Sequence, residues 1–140
     1  MIPTIIDTSE EVQTFDIKTD ASMPTLTYRM DLKNNRVQNW VDGQEAMKQA
    51  IFKILQTERY QYNKIYSDNY GIELVDLFGM PKAFVIAEVE RRIREALLWD
   101  ERITAVKNFV FDSHKGNIIV RFECDTIFGE VTVNSFEVNF

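Results

Sequence analysis

"VIAEVERRIREALLWDERITAV", residues 85–106, decides how the chain folds. Its first part spaces apolar residues for a helix: Val85, Ile86, Val89, Ile93, Ala96 and Leu97 share one face, and Pro81 suits the first turn. The opposite face pairs Glu88 with Arg92, Glu90 with Arg94 and Arg91 with Glu95. Such i,i+4 pairs stabilise by roughly 0.2–0.5 kcal/mol each and read as a solvated helix face. Three charges follow, Asp100, Glu101 and Arg102, and then a β-branched run, Ile103, Thr104 and Val106. A helix therefore passes into a strand at a charged corner whose neighbours on both sides are expected to be buried. That triplet has three readings: a catalytic carboxylate pair, a structural ion cluster, or a docking point for another protein.

Downstream of the corner everything reads as strand. Ile103 to Phe111 is one strand and "DSHKGN" a turn. In "IIVRFECD" Ile118, Val120, Phe122 and Cys124 face one side, while Ile119, Arg121, Glu123 and Asp125 face the other. "FGE" breaks the run, and "VTVNSFEVNF" ends it with Phe136, Val138 and Phe140. Upstream, Asp42 is a good helix N-cap with Glu45 in the capping-box position. Ala46, Met47, Ala50, Ile51, Ile54 and Leu55 then make an apolar stripe that ends near Thr57. "TLTYRMDL" (25–32) alternates Leu26, Tyr28, Met30 and Leu32 as a half-buried strand, joined through "KNN" to "RVQNWV" as a hairpin. Ile72 to Phe78 has room for one or two helical turns. Residues 1–24 show no sustained period and read as an extended arm. The order β-β-α-(turn)-α-β-β-β predicts one α+β domain over 25–140, two main helices packed on an antiparallel or mixed sheet.

Composition limits the function. The 140 residues carry 16 basic and 22 acidic side chains, a net charge of −6 that argues against binding nucleic acid phosphates. Hydrophobic residues make up 45%, enough for a single sizeable core. Cys124 has no intramolecular partner, which fits a reducing compartment. No stretch approaches the ~18 apolar residues of a membrane span, and "MIPTIIDTSEE" lacks a signal-peptide n-region. The expectation is a soluble protein, neither exported nor membrane-inserted.

Catalytic and cofactor signals are weak. His114 stands alone in the predicted turn, and one His with one distant Cys does not make a metal site. Cys124, on the apolar side of its strand, reads as a core thiol. Neither a G-x-S-x-G elbow nor a nucleotide-binding glycine loop occurs, so no cofactor is expected. A peptidoglycan hydrolase would need two acids flanking a cleft, one held protonated. Asp100 and Glu101, or Asp68 and Glu73, are the carboxylates on offer, but Arg102 favours an ionised neighbour. Glu58, Arg59, Tyr60, Tyr62, Tyr66 and Tyr70 fill the segment after the first helix. They either pack that loop onto the domain's own core or form an interface, where Tyr and Arg are enriched.

Several separated blocks, in order, carry a resemblance. "DGQEAMKQAIFKILQTERYQY", "NYGIELVDLFG" and "ERRIREALLWDERI", with "PTLTYRMD" and "TIFGEV", resemble the baseplate wedge proteins of contractile phage tails. This is the sheath-initiator family, one member of which carries an old lysozyme label. The likeness is greatest to the branch in Gram-positive defective prophages and phage-tail-like bacteriocins, and it runs from about Pro24 to Val133.

The resemblance implies a domain similar to the strand-exchange domain of contractile sheath subunits. It implies a non-enzymatic role: docking on other wedge proteins and accepting extended strands from the first ring of sheath subunits by β-augmentation. Several copies per particle, six by analogy, would assemble in the bacterial cytoplasm and reside in the baseplate. In that family a Glu-Pro-Arg triplet after the second helix is thought to dock into the helical bundle of neighbouring wedge proteins. Asp100, Glu101 and Arg102 occupy its place here: the acid is one methylene shorter, Glu replaces the rigid Pro, and Arg is retained. The loop after the first helix also departs, tyrosine-rich where the family is often Gly-containing and basic. The alternatives from other classes are the peptidoglycan hydrolase and a generic soluble adaptor.

Overall fold

The helix that leads to the charged corner forms over Lys82–Leu98, and the strand beyond it over Ile103–His114. A computed structural model describes residues 25–62 and 64–139. The arm read over 1–24, and Phe140 at the end of the last strand, lie outside the described residues. The elements, in chain order, are β1 (Thr27–Asp31), β2 (Arg36–Val41), α1 (Gly43–Gln56), a 3-10 turn (Val75–Leu77), α2 (Lys82–Leu98), β3 (Ile103–His114), β4 (Asn117–Thr126) and β5 (Gly129–Val138). This is the α+β domain that the pattern predicts. Its strands form two antiparallel sheets, the β1–β2 hairpin and a β3-β4-β5 meander.

The meander and the two helices share the core. Ile118, Val120, Phe122 and Cys124 of β4 are buried, as the alternation requires, against Met47, Ile51 and Leu55 of α1 and Val89, Ile93 and Leu97 of α2. Burying one such side chain stabilises by about 1.5–3 kcal/mol. Burial, with the Asp125 carboxylate nearby, pushes the Cys124 thiol up to about 12, so it stays neutral and inert.

Three local expectations change. The β3–β4 turn is tighter than "DSHKGN": it consists of Lys115 and Gly116, both at positive φ, and His114 sits in the strand opposite Asn117. Asp42 caps α1 through Gly43 N at 2.8 Å, but Glu45 turns to Arg29 of β1 at 2.9 Å. The face of β1 predicted to be half-buried points outward: Leu26, Tyr28 and Leu32 are each about 60% exposed. The reason is topological. A two-stranded hairpin lies on α1 by one face, and here that face carries Val41 and Arg29 while Tyr28 stacks on Trp40 outside, ring centroids 4.2 Å apart.

The hairpin is fastened to α1 by side chains. The Gln49 amide donates to Tyr28 O (2.7 Å) and accepts from Met30 N (3.0 Å), occupying the centre of the outer edge of β1. Thr25 donates to the Asp42 carboxylate and accepts from Gly43 N at 3.1 Å, which joins the start of the hairpin to the cap of the helix.

Candidate functional site

The corner at 100–102 is built by main-chain bonds before its side chains act. Asp100 N donates to Leu97 O (3.1 Å) as α2 ends, and Ile103 N donates to Asp100 O (3.0 Å) as β3 begins. Ile127 N donates to Arg102 O (3.0 Å), which ties the corner to the β4–β5 turn. On this frame Asp100 Oδ1 accepts from Arg102 N (3.0 Å) and Nε (2.9 Å), and Oδ2 from Nη2 (2.6 Å). A carboxylate and a guanidinium two residues apart thus form a two-pronged pair, with only 15% and 21% of their side chains exposed.

Burial pushes the Asp100 carboxyl up, but the Arg102 side-chain and backbone hydrogen bonds outweigh it and hold the group below the usual carboxylate range. That is the reverse of what a general acid needs. Glu101, between the two, points into solvent.

The apolar neighbours of the corner differ from expectation. Leu97 is fully buried, yet Leu98 is 44% and Trp99 55% exposed. Trp99 is a candidate docking residue that helix periodicity conceals, because the last turn of a helix that stops at a corner turns part of its stripe toward solvent. Its position beside a charged triplet is the one available signal.

The tyrosine segment is a closed loop that meets the same corner. Ile72 N donates to Thr57 O (2.9 Å) and Arg59 N to Ile72 O (3.1 Å), so the ends are paired as a parallel bridge. Gly71 makes that closure fit: its φ is +91°, and a Cβ there would lie 2.5 Å from Thr57 O. Glu58 and Arg59 work inside the loop. The Glu58 carboxylate accepts from Leu74 N (3.0 Å) and Val75 N (3.3 Å), while the Arg59 guanidinium donates to Gly71 O and to Glu95 (both 3.2 Å). Tyr70 packs on the core and stacks with Tyr66, centroids 4.3 Å apart, whereas Tyr60 and Tyr62 are about half exposed. Tyr70, with Tyr66 stacked on it, therefore fits the packing reading, and Tyr60 and Tyr62 are left at the surface.

Loop and corner are brought together by two adjoining grooves. One, of about 310 Å³, runs between α1 and the corner, with Gln49, Lys53, Tyr70, Asp100 and Arg102 in its walls. The other, of about 400 Å³, is lined by Ser67, Asn69, Tyr70, Trp99, Asp100 and Glu101. Tyr70 and Asp100 belong to both, and Tyr70 is pushed above its ordinary range by burial, by Tyr66 and by the Asp100 carboxylate.

The charged face of α2 keeps all three predicted pairs, at 3.0–3.2 Å. It is less solvated than expected at Arg92, which is 14% exposed beneath the 3-10 turn and binds both Asp76 oxygens (2.5 and 2.9 Å) and Glu73 O (2.8 Å). Among the described residues no three His, Cys, Asp or Glu side chains are grouped to hold a metal ion, and no helix is long and apolar enough to cross a membrane.

Residues 12–129 match the family model described as contractile injection system sheath initiator. The chain is also similar to the phage-like element PBSX protein XkdS of Bacillus subtilis (strain 168). Identity is 34% over 127 residues, covering 88% of this chain and 89% of that protein.

Proposed function

Because the chain belongs to the contractile injection system sheath initiator family, a structural family of the contractile tail baseplate, we propose that it joins the wedge to the sheath. The 100–102 corner docks on neighbouring wedge proteins, and the strands accept extended arms from the first ring of sheath subunits. The observation that carries the docking half is the locked Asp100–Arg102 pair beside exposed Trp99 and Glu101. A prefolded corner pays little side-chain entropy on binding, and a Trp at its rim has the profile of an interface anchor. The role needs no catalysis, and an Asp100 held ionised supports that reading.

The test is binding of purified wedge partners to two variants. Arg102→Ala is expected to weaken docking by about 2 kcal/mol or more, as for a desolvated charged contact. Trp99→Ala, at an exposed position, should weaken docking while leaving the unfolding midpoint near that of the parent. Variants that bind their wedge partners and build full-length sheath as the parent does would refute the docking role.

A further inference from the structure

The meander has two outer edges, β3 and β5, and they are not equivalent. β3 carries extra residues at two places, one between Ile103 and Ala105 and one between Lys107 and Val110. The second includes Asn108 at φ +56°, whose amide is held by Glu123 at 2.6 Å. Bulges of this kind interrupt the spacing that an added strand must match. On α2, the helix over β3, Arg94 lies across the Phe109 ring at 5.2 Å.

β5 is interrupted once, beyond Val133, and is paired in register with β4 on either side. Beside it a groove of about 420 Å³ separates strand from helix α1, with Leu55, Val133 and Phe136 in its apolar lining. Lys48, Phe52 and Gln56 follow one another at i, i+4 and i+8 along the helix wall, so the wall is cationic at one end, apolar in the middle and polar at the other. Phe52 is 39% exposed, and Lys48 makes no ion pair among the described residues.

Resting on the strand-accepting role proposed above, we infer that β5, not β3, is the receiving edge. Its ligand is an extended sheath arm that sets an apolar side chain between Phe52 and Phe136 and a carboxylate against Lys48. Main-chain pairing along β5 beyond Glu130, whose carbonyl already accepts from the Gln44 side chain of α1, supplies affinity. The alternate side chains entering the groove fix which arm fits and in which register.

Assembled particles carrying a photo-crosslinking residue at Thr132 of β5 or Asp112 of β3, both exposed positions, test this. Cross-linked peptides are identified by mass spectrometry. Sheath peptides are expected from Thr132 and none from Asp112. Sheath peptides from Asp112, alone or alongside Thr132, would overturn the assignment of the edge while leaving strand acceptance in place. Sheath peptides from neither position would overturn strand acceptance by the meander itself. Lys48→Glu, with the photo-residue kept at Thr132, should lower the cross-link yield about tenfold, the size of one rim charge contact. An unchanged yield would refute the carboxylate match.

Discussion

The β1–β2 hairpin and the β3-β4-β5 meander are written in the same alternating code, and the fold treats them oppositely. In β4 every second apolar residue is sealed beneath the helices, and Val120 and Cys124 have no exposure at all. In the hairpin and its flanks the apolar residues Leu26, Tyr28, Leu32, Val37 and Trp40 face outward, all more than half exposed. Alternation says which residues share a face. It does not say whether this chain or another covers that face. A three-stranded sheet under two helices completes its own core, whereas a two-stranded hairpin held by Gln49 and Arg29 does not. An exposed apolar face of this kind belongs to interfaces more often than to free surfaces.

The comparison breaks most visibly under truncation. Phe122→Ala, inside the meander, should cost about 3–5 kcal/mol of unfolding free energy, through lost burial and the cavity left behind. Trp40→Ala on the hairpin should cost about 1 kcal/mol, mostly the stack with Tyr28. Urea unfolding of the two variants measures the contrast, and equal losses would mean that the hairpin is part of the same core.

A smaller loss is expected at the loop that joins the helices. Gly71→Ala forces a side chain into a positive-φ position against Thr57 O and should cost about 1–3 kcal/mol. Proteolytic nicking between residues 59 and 70 is a sensitive readout, since opening the bridge at Thr57 and Ile72 frees the loop before the core unfolds.

A pH-dependent effect sharpens the role of the corner. The native Asp100 carboxyl lies below its unfolded value near 3.9, so its contribution is fully present above that value. It is lost as pH falls through the lower, folded pKa. Asp100→Asn should therefore reduce stability by about 1–2 kcal/mol at neutral pH, with the gap to the parent closing under acid. Thermal melts of both proteins from pH 7 to pH 2 follow this, and a gap that stays constant would show that the ion pair contributes nothing.

Much of the fold was legible because period and caps agree. The stripes of α1 and α2, the N-cap at Asp42, the three i,i+4 pairs and the inward set of β4 all follow from spacing. What stayed hidden depends on distant contacts. Nothing local says that Arg92 is roofed by the 3-10 turn, that Glu45 reaches β1, or that Gln49 clasps its edge. The corner was legible as charged and as a junction. That Asp100 and Arg102 satisfy one another, leaving Glu101 and Trp99 outward, follows from a turn geometry that the three letters do not fix. Family resemblance implies a docking role for the triplet, and the structure adds its neighbour, the Tyr70 loop, which shares its grooves.

The central claim is that this chain starts the sheath. Electron microscopy of particles made without it, beside particles rescued by the intact chain, tests that claim most directly. The account predicts baseplates and tubes without polymerised sheath in the first case and sheathed tails in the second. Full-length sheath in the absence of the chain would contradict it.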